Sequence, residues 1–427
     1  MAASPLPSAP TPRRLLAARL PAWCQKLHAD GRLFDLSLAN GSIERIEPHA
    51  PPGDVSDPSY WHLHGSPVLP ALIEAHAHLD KAYTVHRSPP RGPGLLAAIQ
   101  ASQANEKLWT ADDLRMRAER ALRDSLAAGA QLLRTHVSWF RPEAPPAWAV
   151  SRELREQWAG RVDLEIVNIS PLKLYADAEL AARIAGFVAA TPGGVLGGFV
   201  HSSNYSEAAL RTLLTLAAEH GLRVDLHVDE ELDPRACGVA ATARIAKELG
   251  LAGRVACSHA CALSAQDEAT ALRTLDAAAE AGLGFISLPS TNLMLQDAAT
   301  GRTPRQRGIT LLHEALARGI PVALGSDNVQ DPFNPVGRHD PVAALELAVM
   351  AAHVPSAFDA GSALVCDRNA LGAGARLAGF EGAAADLVIF PGSDPSGQAW
   401  PADARERVVL RAGRLVAGAW PAAAPGP

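Results

Sequence analysis

Residues 68–81 read Val68-Leu-Pro-Ala-Leu-Ile-Glu-Ala-His76-Ala-His78-Leu-Asp80-Lys81, an apolar run that ends in a cluster of imidazole, carboxylate and ammonium groups. A short apolar run of this length reads as a buried strand, here 68–76, with its polar residues where strand gives way to loop. The same design recurs along the chain. The run 131–137 ends Arg134-Thr-His136, 195–200 is followed by His201, and 223–227 leads into His227-Val-Asp-Glu230. The run 254–259 ends Cys257-Ser-His259, and 321–325 leads into Gly325-Ser-Asp327-Asn328. With 163–169 and 282–288 there are eight strand candidates, separated by segments of helical period such as 111–128, 176–189, 206–219, 234–249, 265–281 and 311–318. Eight strands alternating with helices between residues 67 and 377 predict an α/β chain with a (β/α)8 TIM-like barrel. An open doubly wound sheet competes, but no GxGxxG follows the first strand.

Outside the barrel the ends look β-like. Residues 32–46 alternate around Asn40-Gly41, a strong two-residue hairpin signal. Residues 385–390 and 407–417 carry a similar pattern. Neither end can bury a sheet alone, so both are expected to form one small β-sandwich, 1–66 with 378–427, beside a barrel of 67–377. The Pro/Gly/Asp-rich stretches 48–58 and 391–401 read as loops, and the tail 421–427 as disordered.

Composition narrows the partners. The chain has 427 residues, 48% hydrophobic and 20% charged, enough to bury a large core. Its net charge of −6 offers no electrostatic footprint for nucleic acid. No stretch approaches the ~20 apolar residues of a membrane helix, and residues 1–22 lack the apolar run of a secretory signal. Five scattered cysteines make no disulfide framework, so a cytoplasmic protein is expected.

In a closed βα barrel the chemistry sits at the C-terminal strand ends, where His76, His78, His136, His201, His227 and His259 all fall. His76 and His78, two apart, point to one side of a strand. With His227 and Asp327 they would supply three nitrogens, one oxygen and an open position, the pattern of a catalytic metal site. That set suits Zn(II) or Fe(II) equally, one ion per subunit. The pair His62-Leu-His64 precedes the barrel with no carboxylate behind it and reads as a chance match. Cys257 and Cys261 flank His259 in a knuckle-like pattern, yet read better as small buried hydrophobes. Glu230, three residues after His227, is placed to shuttle protons. His136 and His201 fit core or pocket equally. Lys81 reaches either an anionic or carbonyl group at the barrel mouth or solvent. Arg302, Arg305 and Arg307 read as a solvated run.

With those residues placed, the chain resembles the amidohydrolase superfamily, and within it the cytosine deaminase group. The carrying segments are Glu74–Lys81, Arg134-Thr-His-Val137, Val224-Asp-Leu-His-Val-Asp-Glu230, Ser258-His259, Asn292–Gln296, Arg307-Gly-Ile-Thr310 and Gly325–Pro332, in order from about residue 30 to about 415. The HxH pair and the late Asp are general to the superfamily, whereas HxxE narrows the match to deaminases and close relatives. The resemblance implies a mononuclear centre of His76, His78, His227 and Asp327. It also implies catalytic positions for Glu230, His259 and Asp327, and a homo-oligomer. No lysine stands at the end of strand four, where two-metal members need one.

Two departures bear on substrate. Cytosine deaminase carries a Gln after strand three that reads the pyrimidine edge. Here Pro171 stands at about that place and offers no side-chain hydrogen bond, so a cytosine-type contact is lost unless Lys173 or Asn168 replaces it. Where the family has a second Asp after the ligand, this chain has Asn328, an amide that donates as well as accepts. The expectation is hydrolytic deamination of an amino-substituted nitrogen heterocycle other than cytosine, with Lys81, His136, Asn168, Lys173 and Asn328 as substrate contacts. Asp327 would take a proton from water, His259 would hold the attacking oxygen, and Glu230 would protonate the ring nitrogen. Release of an alkylamine from a triazine-like ring, or opening of a cyclic amide, are alternatives on the same residues. An inactive metal-binding scaffold is the alternative of another class. The PCxxC of the unrelated nucleobase deaminases is absent.

Overall fold

A computed structural model describes residues 11–24, 32–50, 56–354, 358–359, 361–372, 380–392 and 404–420. Eight parallel strands lie side by side in chain order. They are β1 (Leu72–Ala77), β2 (Ala130–Ser138), β3 (Asp163–Ile169), β4 (Gly194–Val200), β5 (Val224–Val228), β6 (Val255–His259), β7 (Gly284–Ser287) and β8 (Val322–Leu324). The chain beyond β8 returns to β1 through a parallel bridge between Ala77 and Asp327, and Asp327 N–H donates to the His76 carbonyl at 2.8 Å. Closure of the barrel is therefore made by the residue expected to bind metal.

The predicted first strand, 68–76, is two strands in two sheets. Val68–Pro70 pairs with Leu387–Ile389 in a small sheet, while Leu72–Ala77 opens the barrel. Ala71 N–H donates to the Asp386 carbonyl and Leu72 N–H to that of Gly129, so the chain changes sheets at Pro70. Proline has no N–H to continue a ladder, which makes it a natural place for the switch.

Two four-stranded sheets accompany the barrel. One holds Arg14–Ala18, Phe34–Ala39, Ser42–Pro48 and Tyr60–His62; the other holds Val68–Pro70, Leu387–Ile389, Val408–Arg411 and Arg414–Ala417. Leu15, Leu36 and Ile43 from the first meet Val68, Ile389 and Leu410 from the second in one buried core, as a sandwich requires. The expected hairpin turns through Asn40 (φ 52°) and Gly41 (φ 79°), both left-handed as a type I′ turn demands. The sandwich is bolted to the barrel by Arg407, buried and paired with Asp340 at 2.6 Å, and by Gln131, whose amide donates to the Leu410 carbonyl at 2.7 Å. Residues 51–55 and 393–401 of the expected loops, and the tail 421–427, lie outside the described residues.

Helices follow the periodic segments. Thr110 caps Ala111–Ala127 and Ser206 caps Glu207–Glu219, each accepting the backbone N–H of the third helical residue. The segment 234–249 starts its helix late, as Gly238–Glu248, because Asp229 at the end of β5 accepts the N–H groups of Gly238 and Val239. Two further helices, Leu95–Glu106 and Pro341–Ala352, have apolar residues on every side and no clear period.

Candidate metal centre and active site

At the C-terminal end of the barrel four side chains from three places in the sequence converge. Nε2 of His76 lies 3.4 Å from Nε2 of His78 and 3.1 Å from Nε2 of His227, and the latter two are 3.3 Å apart. Asp327 Oδ1 lies 3.1 Å from His78 Nε2 and 3.6 Å from His76 Nε2. Donors held about 2.0–2.1 Å from one tetrahedral cation sit roughly 3.3–3.4 Å from one another, a value inside the 3.1–3.6 Å spread of these separations.

The tautomers make the same point. His78 Nδ1 is 3.0 Å from the His136 carbonyl, an acceptor only, so Nδ1 carries the proton and Nε2 is bare. His76 Nδ1 lies 3.0 Å from Ser258 Oγ, which itself donates to Asp225 at 2.8 Å. Bare nitrogen lone pairs therefore face one another and a carboxylate across little more than 3 Å. Such an arrangement is repulsive unless a cation lies between, and a divalent ion fits this donor set.

Burial, together with the neighbouring histidines, pushes His76 and His227 well below the ordinary imidazole value. Burial and the Lys81 charge lower His78 to about 4. All three are neutral, the form that binds metal. Burial tends to raise the Asp327 carboxyl, but close contact with His78 and the charges of His259 and Lys81 outweigh it and hold it low.

A cavity of about 340 Å³ opens over this cluster. His78, His227, Glu230, His259, Asp327 and Asn328 form its floor side. Glu230 is buried, and burial with the Asp327 charge raises its carboxyl well above the usual carboxylate range. His259 donates from Nδ1 to Asn292 Oδ1 at 3.0 Å, which leaves Nε2 without a partner. Both His259 (φ 71°) and Asp327 (φ 61°) adopt left-handed backbone, a strain that clusters at functional sites. The Lys81 ammonium, buried, stands 4.8 Å over the Phe333 ring on the cavity wall. The Asn328 amide donates to Asp331 at 2.6 Å, so one of its two N–H groups is already engaged.

Lys81, Lys173, Asn328 and Pro171 line the cavity, as does the expected catalytic set. His136 and Asn168 do not. His136 is wholly buried behind the cluster, its ring stacked on His76 with centroids 3.6 Å apart. Asn168 reaches across the short β3–β4 ladder instead: its amide donates to Tyr175 and to the Gly197 carbonyl, and its oxygen accepts Gly197 N–H at 3.0 Å. Neither side chain therefore reaches the cavity, His136 because His76 stands in front of it and Asn168 because its amide is taken up within the β3–β4 ladder. His201 is held by Ser203 and Glu231 outside the cavity. Cys257 and Cys261 are buried, and no grouping of possible metal ligands among the described residues includes a cysteine. Arg302 pairs with Asp297 at 2.5 Å, away from the site.

Sequence reasoning missed the outer wall. Leu95, Leu96, Ile99 and Gln103 come from the helix Leu95–Glu106, and Phe140, Phe199 and Phe333 from loops or a strand. The available signal was position: this helix lies in the long connection after β1, on the catalytic side of the barrel.

The amidohydrolase family model matches residues 147–417. A pterin deaminase of Rhizobium rhizogenes (strain K84 / ATCC BAA-868) is 35% identical over 397 residues, 90% of this chain and 87% of that protein. An N-isopropylammelide isopropyl amidohydrolase of Pseudomonas sp. (strain ADP) is 24% identical over 404 residues, 90% and 93% of the two chains. The crystal structure of 5-methylcytosine deaminase from Klebsiella pneumoniae superposes with a TM-score of 0.81 at 25% identity, covering 97% of this chain and all of that one.

Proposed function

This chain belongs to the amidohydrolase family, and on that premise we propose that it deaminates an amino-substituted nitrogen heterocycle by hydrolysis, with a pterin as the first candidate substrate. The observation that carries the reading is the convergence, over one cavity, of four metal-type donors with the buried Glu230 carboxyl and an unpartnered His259 Nε2. The 35% identity to a pterin deaminase supports the substrate class. A divalent ion held by His76, His78, His227 and Asp327, Zn(II) or Fe(II), supplies the lowering of a water's pKa from 15.7 toward ~7.

The chain's own groups do the rest. Asp327, ionised, accepts the proton that water loses as it attacks the ring carbon. His259 orients that water through Nε2, its ring direction held by Asn292. Glu230 gives its proton to the adjacent ring nitrogen, so the carbon accepts the new C–O bond without building a ring anion. The proton taken by Asp327 then passes to the exocyclic amine, the C–N bond breaks and ammonia leaves, while the new C–O–H group closes to a carbonyl and its remaining proton returns to Glu230. Lys81 and Asn328 hold polar edges of the ring, with Lys173 at the mouth.

The apolar outer wall of Leu95, Leu96, Ile99 and Phe140 favours one second reading, release of an alkylamine from a triazine-like ring. The five unpaired cysteines suit a reducing cytoplasm. No helix among the described residues is long and apolar enough to cross a membrane. A homo-oligomer completes the proposal.

The test is ammonia release from zinc- or iron-loaded protein against pterin, cytosine, isoguanine, creatinine and aminotriazines. Release from pterin is expected. Alkylamine release from N-alkyl triazines without any ammonia would overturn the deaminase reading in favour of the second.

A further inference from the structure

Beneath the converging donors lies a second polar layer that the chemistry above does not use. Asp225 sits two residues before His227 on β5, and Arg134 two before His136 on β2, so both point inward one layer deeper in the barrel. Asp225 is wholly buried. It accepts Arg134 Nη1 at 2.7 Å and Ser258 Oγ at 2.8 Å, with His136 Nε2 at 3.4 Å. Ser258 Oγ lies 3.0 Å from His76 Nδ1.

A serine hydroxyl has one proton. Against a carboxylate that proton must point to Asp225, so the oxygen can only accept from His76 Nδ1–H. The ring proton is thereby held on Nδ1 and Nε2 stays bare. His136, stacked on His76 at an interplanar angle of 19°, holds the plane of the ring. The other two imidazoles differ. His78 Nδ1 meets a backbone carbonyl, and His227 Nδ1 has no hydrogen-bond partner among the described residues. Of the three, His76 alone is linked through Nδ1 to a buried charge.

We infer that Asp225 is a positioning residue which, through Ser258, locks the tautomer and direction of His76 for metal binding. The inference rests on the metal centre of the proposed function, but not on its substrate. Carboxylate-anchored ligand histidines are held more firmly than free ones, and loss of such an anchor typically costs 10–100-fold in metal affinity. Asp225→Asn does more than remove a charge. Its amide can donate to Ser258, whose hydroxyl proton then turns to His76 Nδ1 and drives the ring proton onto Nε2, where it blocks the ion.

The experiment is a cobalt(II) titration of metal-free protein against a competing chromophoric chelator, with the visible spectrum of the bound ion as second readout. Ser258→Ala, which leaves the Asp225–Arg134 ion pair intact, is expected to weaken binding by about 10–100-fold and change the spectrum. Ser258→Thr, which keeps the hydroxyl, is expected to restore both. Asp225→Asn is expected to weaken binding at least as much as Ser258→Ala. Cobalt affinity and spectrum of Ser258→Ala and Asp225→Asn equal to the parent's would overturn the inference. So would Ser258→Thr as weak as Ser258→Ala, since the effect would then be packing. A parent protein that takes up no cobalt overturns the metal centre itself, and this inference with it.

Discussion

The chain carries the same three-residue pattern twice within a short span, as His62-Leu-His64 and as His76-Ala-His78. In both, the two rings approach each other, with centroids 4.1 Å apart in the first pair and 5.2 Å in the second. There the likeness ends. His62 closes an edge strand of the sandwich, and its Nδ1 accepts the backbone N–H of His64, itself exposed. The nearest ring, His49 at 5.7 Å, is turned to Asp35. No third ligand atom joins that pair among the described residues. His76 and His78 stand instead where β1 ends inside a closed barrel, and the barrel brings His227 and Asp327 to them. Two imidazoles become a metal site only when the fold supplies the other donors and removes the water.

The largest expected effect comes from taking one of those donors away. His227→Ala should leave the centre with two nitrogens and one carboxylate, so metal analysis should find no stoichiometric ion and ammonia release should fall to background. Full activity in that variant would make the two HxH pairs equals. Glu230→Gln should keep the metal, because Glu230 is not among the converging donors, yet lower kcat by ~10²–10⁴-fold as a positioned proton donor is lost. Steady-state kinetics with metal analysis of the same sample separates the two outcomes.

Burial also predicts a pH signature. Free imidazole takes a proton near ~6.5, so an exposed pair loses metal as pH falls through that value. Burial pushes His78 down to about 4 and His76 and His227 well down, so they are already neutral and protons do not compete above pH ~5.5. The metal dissociation constant should therefore be flat between pH ~7.5 and ~5.5. A rise of tenfold per pH unit would show that the buried ligands titrate as exposed ones do. The smallest effect belongs to the other pair: His62→Ala with His64→Ala should leave metal content, kcat and KM unchanged. A measurable loss of metal would give that pair a role that its surroundings do not suggest.

Much of the site was legible because polar residues interrupt apolar runs at one repeated place. His76, His78, His227, Glu230, His259 and Asp327 all follow or end a strand, and a barrel gathers strand ends. The direction of individual side chains was not legible. His136 and Asn168 also lie at strand ends, but stagger between neighbouring strands turns one into a plate behind His76 and the other into a stitch between β3 and β4. Asp225, five residues from Glu230 and two from His227, reads in the sequence as one more strand residue. Its importance appears only where Arg134 and Ser258 meet it.

Local chemistry thus settled the α/β rhythm and the Asn40-Gly41 hairpin and pointed to the candidate donors, since each shows in residues within a few positions of a strand end or turn. Tertiary structure alone decided the change of sheet at Pro70, the apolar wall from Leu95–Glu106, the fate of two equal HxH pairs and the relay from Asp225 to His76. Those depend on distances between residues far apart in the chain, as in the pairing of Pro70 with Leu387 or the bond from Ser326 to Glu74, 252 positions apart. Separations of that kind are set by barrel closure and register, which no local pattern encodes.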